Sequence, residues 1–341
     1  MAARYPWSRL PMDDLLDIRM RDLGLRLGGT WVEDAVGQLH EELAERGFRF
    51  RPHVWLSDEW FSPNGVPGFA IPFYLVHPRL MKLERTQMLE VEGGTWAGCM
   101  RILRHEAAHA IQHAYSLQRR KSYQEHFGRA RRYPEYYRPN PASRRFVQHL
   151  PLWYAQSHPD EDFAETFAVW LRPRSDWRRR YAGWPALRKL EYVDELMTEI
   201  AERKPLVTTR QQVEPVRRIS RTLREHYEAR KARYGRNQPN IYDRDLRRLF
   251  ADTTPATRRW PTAASFLRKH RAEIRGRVCR WTGEHAFTLD TVLGDMIVRC
   301  RELRLRARGS ERQLVMNFEI LLTVKTMHFL YSARSRDWIA L

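Results

Sequence analysis

The sequence predicts an α+β domain over residues 1–204, followed by a mainly helical, basic region over residues 205–341. Three observations carry this. The β-type runs fall within the first 80 residues, among segments of helical period. Residues 1–202 carry 29 Lys+Arg against 27 Asp+Glu, a net of +2, whereas residues 203–341 carry 31 against 14, a net of +17. Lys204-Pro205 closes a helical pattern at that divide.

The elements follow in order. Thr30 and Glu33 form a T-x-x-E capping box, which predicts a helix over 31–46 with Val32, Ala35, Val36, Leu39 and Leu43 on one face and Gly47 at its end. Phe48 to Leu56 and Phe69 to Val76 read as strands around a Pro/Gly/Asn-rich loop. Pro72 cannot donate to a ladder, so the second strand is expected at an edge. Gly93 and Gly94 precede a long helix over 96–118, and residues 119–141 form an irregular excursion rich in Arg, Tyr and Pro. Helical patterns resume over 144–155, 159–171 and from Pro185, where Leu187, Leu190, Val193, Leu196, Met197 and Ile200 make a stripe. In the basic region, Leu289 to Leu303 and Leu314 to Tyr331 predict a helical hairpin, with a second capping box at Ser310 and Gln313.

Composition excludes several classes. No apolar run is long enough to span a bilayer. The N-terminus lacks the apolar stretch of a signal peptide. Cys99, Cys279 and Cys300 form no C-x-x-C and are odd in number, which excludes a disulfide framework and an all-cysteine zinc site. A cytoplasmic protein is the expectation.

Residues 105–109 read His-Glu-Ala-Ala-His. On a helix, His105 and His109 share one face and can bind one Zn²⁺, with Glu106 beside its water as a proton acceptor. Gln112 and Tyr115 stand where the metzincin extension needs Gly and His, which excludes that class. His113 lies ~6 Å further along the axis than His109, too far for a third ligand on the same ion. A catalytic zinc keeps three protein ligands. Downstream, Glu161 and Glu165 are four apart in Asp160-Glu161-Asp162-Phe163-Ala164-Glu165-Thr166-Phe167-Ala168. Two close carboxylates on a largely apolar helix are costly without a cation.

At these residues the chain resembles the gluzincin metallopeptidases, which combine H-E-x-x-H with a glutamate on a later helix. The likeness covers roughly residues 20–200 and is closest to zinc-binding metallopeptidases whose second helix resembles the E-D-F-A-E stretch here. The catalytic domain of anthrax lethal factor is a more distant likeness. The resemblance implies a zincin-like fold with a small mixed sheet and an active-site helix, and a peptide or protein substrate. It implies His105, His109 and Glu161 as Zn²⁺ ligands and Glu106 as general base. It implies that Glu165 orients a ligand histidine and that Tyr154 stabilises the oxyanion, with His149 and His158 as other donors. In such enzymes an edge strand above the active-site helix pairs with extended substrate, a role the resemblance gives to the second strand.

The basic region is not covered by the likeness. Its charge can attract nucleic acid or an acidic partner, while Arg217, Arg218, Arg221, Arg224, Arg230, Lys231 and Arg233 fall on a helical pattern that suits a solvated helix face better than a nucleic-acid groove. The run from Arg129 to Arg138 mixes base-stacking and phosphate-binding residue types, but such a run is more often a solvated loop, here over the site.

Overall fold

Capping, helical periodicity and one short strand pair build the chain, a computed structural model describing residues 5–129, 132–133, 137, 140, 142–234 and 242–331. It is mostly helical, with one two-stranded parallel sheet. Two compact units divide it. The first holds the chain up to Thr86 together with Val91–His226; the second holds Gln87–Glu90 and the described residues from Tyr227 onward.

In the first unit, helix α1 spans Trp31–Glu45. Thr30 Oγ1 accepts the Glu33 N–H at 3.3 Å, and Glu33 reaches back one residue beyond the usual box, to the Gly29 N–H at 2.6 Å. All five expected apolar residues of α1 are buried, and Gly47 ends it at φ +82°. Strand β1 (His53–Ser57) pairs in parallel with β2 (Gly68–Pro72). The expected mixed sheet is therefore a single parallel pair among the described residues, joined by one antiparallel bridge between Phe61 and Ala70. Both strands are shorter than expected because prolines bound them. β1 starts after Pro52, and Pro72 ends β2, after which Phe73–Val76 coil into a 3₁₀ turn.

Helix α2 (Trp96–Tyr115) is capped by Thr95 Oγ1 and stops at Ser116 in the left-handed region, short of the expected Gln118. Met100, Leu103, Ala107, Ala110, Ile111 and Ala114 bury its apolar side, and Arg104 ties it to Glu42 of α1 through two 2.7 Å bonds. Helix α3 (Pro159–Leu171) packs along α2, and α4 (Ala186–Ile200) packs on α3. The helix expected over 144–155 is absent; only a 3₁₀ segment, Pro151–Gln156, forms there. Its backbone is claimed from outside: Tyr181 accepts the Gln148 N–H and Glu165 accepts the Leu150 N–H.

The first unit also runs past the boundary expected at Pro205. The Leu206 and Val207 N–H groups both bond the Ala114 carbonyl. Residues 211–214 then line β1, where Trp55 donates to Val213 at 2.8 Å and Ser57 to Glu214 at 2.6 Å.

In the second unit, α5 (Ala263–Thr282) carries both α6 (Ala286–Glu302) and α7 (Glu311–Tyr331). The expected hairpin is thus two helices laid on a third, around Leu267, Ile274, Leu289, Leu293, Met296, Phe318 and Leu322. The Gln313 side chain bonds Asn317 instead of closing a capping box. Many of its cations face acids: Arg271 and Arg275 share Asp290, Arg299 grips Asp243, and Lys325 meets Asp245. Of the arginines expected on one basic helical face, Arg221 and Arg224 in the first unit pair with Asp58 and Asp17. Among the described residues, no helix is long and apolar enough to cross a membrane.

Candidate metal centre

Four residues apart on α2, His105 and His109 project from one side of the helix, and Glu161 and Glu165 do the same on α3. Packing the two helices brings the pairs together. Glu161 Oε2 lies 3.0 Å from His105 Nε2 and 3.3 Å from His109 Nε2, and the two Nε2 atoms are 3.2 Å apart. These three groups are the set of His, Cys, Asp and Glu side chains among the described residues whose ligand atoms converge, all within 4.8 Å.

The far side of His105 shows what the convergence requires. Glu165, fully buried, accepts from His105 Nδ1 at 2.9 Å and from the Leu150 N–H at 2.7 Å. Glu165 can only accept, so a proton sits on His105 Nδ1; on the neutral ring, Nε2 would then present a lone pair to the Glu161 carboxylate. Acceptor facing acceptor inside a protein is unfavourable unless a cation or proton lies between. The pKa directions agree. Burial disfavours the charged form of His105, but the hydrogen bonds it donates to Glu161 and Glu165 overcome this and hold the ring well above the ordinary imidazole value. Burial likewise opposes charge on His109, and Glu161 reverses it. Burial opposes the Glu161 anion, yet the two histidines bring it well below the ordinary carboxyl range. The group could hold a metal ion.

Around it, a cavity of about 560 Å³ opens along α2. Glu106 lines it, held by Ser62 Oγ, which donates to Oε2 at 2.7 Å. Tyr154 lines it too, with its ring centroid 5.7 Å from that of His105. Burial, then the nearby Glu161 charge, keeps the Tyr154 phenol protonated far above its ordinary pKa. All six residues singled out from the sequence (His105, Glu106, His109, Tyr154, Glu161 and Glu165) thus gather at one place.

The other candidates lie outside the converging set. His113 lines the cavity outside the converging set, and burial, with His109 beside it, lowers its pKa to about 4. A His149 ring nitrogen bonds the Arg101 carbonyl, and His158 Nδ1 caps α3 by accepting the Asp160 N–H. Asp162 is buried against Lys189, and Asp160 accepts from Gln112 at 2.7 Å. Strand β2 is buried throughout, and its Ala70 N–H already donates to Phe61 at 2.8 Å, so the strand expected to pair with substrate is covered at that point. Phe61, Ser62 and Asn64 line the cavity instead.

Sequence reasoning missed Ser62 and Tyr133. The Tyr133 hydroxyl donates to Glu161 Oε1 at 2.6 Å. Its one sequence signal was membership of the Arg/Tyr-rich run, of which Ala130, Arg131, Pro134, Glu135, Tyr136 and Arg138 lie outside the described residues; Arg132 also lines the cavity. Comparison of the chain with family models, curated proteins and solved structures returned no match.

Proposed function

We propose that the first unit is a zincin-like, zinc-dependent peptidase that hydrolyses peptide bonds. The observation that carries this is the convergence of His105 Nε2, His109 Nε2 and Glu161 Oε2, with the carboxylate of Glu106 beside them in an open cavity. Two imidazoles and one carboxylate suit Zn²⁺. When bound, the ion polarises a carbonyl and lowers the pKa of water toward ~7. The chain's own residues do the rest. His105, His109 and Glu161 hold the ion, and Glu165 fixes the His105 tautomer. Glu106, oriented by Ser62, takes a proton from the attacking water and passes it to the leaving amine. The protonated Tyr154 phenol donates to the oxyanion as it forms.

A closed structural site would need a fourth ligand. Among the described residues none joins the group: Asp162 is committed to Lys189, and His113 stands outside the set. That favours an open, catalytic centre. The test is metal content with activity. We expect about one zinc per chain, lost in His109→Ala and Glu161→Ala. Glu106→Gln should keep its zinc while cleavage of a mixed peptide library, read by mass spectrometry, falls roughly 10²–10⁴-fold. A wild-type chain that takes up no zinc on reconstitution overturns the reading, as does undiminished cleavage by Glu106→Gln.

A further inference from the structure

We propose that Tyr133 is a positioning residue that holds Glu161 as a one-oxygen ligand and so keeps the remaining face of the metal centre open. The inference rests on the metal reading above, and it assigns a role to a residue of the irregular excursion over 119–141.

The geometry is specific to the two oxygens of one carboxylate. Glu161 Oε2 is the oxygen turned toward both imidazoles, at 3.0 and 3.3 Å. Oε1 is taken by the Tyr133 hydroxyl at 2.6 Å, within the short range of a hydrogen bond from O–H to a carboxylate. The phenol is the donor, because a carboxylate oxygen can only accept. A carboxylate with both oxygens free can swing to present both to a cation. With Oε1 held, it presents Oε2 alone, and a position is left for water or substrate.

The phenol is itself held in place. Its ring lies flat on His158, with centroids 3.7 Å apart and planes 13° apart. His158 is buried and fixed, because it is the residue that caps α3. Glu161 follows three residues later, one turn along the same face. The cap imidazole is thus a platform, and the hydroxyl of a ring resting on it reaches the carboxylate one turn on. Tyr133 remains 41% exposed. Its ring contributes little to the core, so a structural role is a poor account of so short a bond.

The test uses the full chain and Co²⁺ as a spectroscopic probe, which needs no known substrate. Tyr133→Phe removes one oxygen from a partly exposed side chain and leaves the His158 stack intact. Circular dichroism of this variant should match the parent. Its Co²⁺ complex should show a weaker, shifted visible band, the signature of a higher coordination number, or a binding affinity about 10–100-fold lower. His158→Asn keeps a capping acceptor but removes the platform, and should move the spectrum in the same direction. A parent chain that binds no Co²⁺ or Zn²⁺ overturns the metal reading and this inference with it. A parent that binds, with a Tyr133→Phe complex identical in spectrum and affinity, overturns this inference alone. Tighter binding with an unchanged spectrum also overturns it, since Tyr133 would then only cover the site.

Discussion

Replacing Glu165 by Gln tests how the candidate metal centre is prepared. The carboxylate accepts two hydrogen bonds, from His105 Nδ1 at 2.9 Å and from the Leu150 N–H at 2.7 Å, and is wholly buried. A glutamine has the same shape but one acceptor and one donor end. If its oxygen serves Leu150, its NH₂ faces His105 Nδ1 and drives the ring proton to Nε2, the atom 3.0 Å from Glu161. If its oxygen serves His105, the Leu150 N–H faces an NH₂, leaving a buried donor unsatisfied at a cost of about 1–3 kcal/mol. Either branch penalises the metal-ready state. Loss of such a partner typically lowers metal affinity ~10–100-fold, equivalent to about 1.4–2.7 kcal/mol. The assay is a zinc titration in competition with a chromophoric chelator, on parent and variant at one pH. Affinity in Glu165→Gln within about threefold of the parent, roughly 0.7 kcal/mol, would show that Glu165 does not set the His105 tautomer.

Two stability predictions accompany it. At Gly68, a Cβ would lie well inside contact distance of the His53 carbonyl and 2.6 Å from its ring, directly across the β1–β2 ladder. Gly68→Ala should destabilise the first unit by about 1–3 kcal/mol, and an unchanged melting transition would refute this. In the second unit, burial pushes the Glu284 carboxyl up to about 7 from 4.5, against a hydrogen bond from the His285 N–H. The folded state then binds the proton more tightly than the unfolded one. This contribution is complete below about pH 4.5 and is lost as pH rises through about 7. The loss amounts to about 3 kcal/mol at 1.36 kcal/mol per pH unit. Denaturant melts of parent and Glu284→Gln between pH 4 and 8 check it: the parent should weaken relative to the variant as pH rises, and parallel curves would refute it.

What could be read from the sequence follows the reach of local rules. Helix α3 begins and ends where Pro159 and Leu171 predict, because a cap, an N-terminal proline and a buried apolar face all agree there. The convergence of His105, His109 and Glu161 was legible because the i, i+4 spacing fixes a face before any tertiary contact is known. Residues 144–155 misled for the opposite reason. Phe146, Val147, Leu150 and Ala155 mimic a helical face, but Glu165 and Tyr181 take the Leu150 and Gln148 N–H groups that a helix would have used. Helix α4 stops at Ile200, short of Pro205, and the chain beyond lies back along β1 through bonds more than 150 residues apart in sequence. Ser62 and Tyr133 act singly from irregular backbone, where no period marks a residue.

This contrast describes a division of labour in the site itself. Two i, i+4 pairs face one another across α2 and α3, so one register of the helices satisfies every ligand contact. A slip of one residue moves α3 by about 1.5 Å and turns it by about 100°, carrying both carboxylates away from the imidazoles. Gln112 bonded to Asp160, and Lys189 paired with Asp162, pin the register from opposite flanks. Ala108 on α2, and Ala164 and Ala168 on α3, share the faces of the ligand residues, are fully buried and leave room for close approach of the two helices. The spacing of the ligand atoms is thus a consequence of core packing. The remaining groups arrive on chain without that constraint: Ser62 from the loop before β2, Tyr133 from the excursion, and Tyr154 from a 3₁₀ segment anchored through Leu150 to Glu165. Glu165 therefore joins the two parts, since one carboxylate sets both the His105 ring and the segment that carries Tyr154.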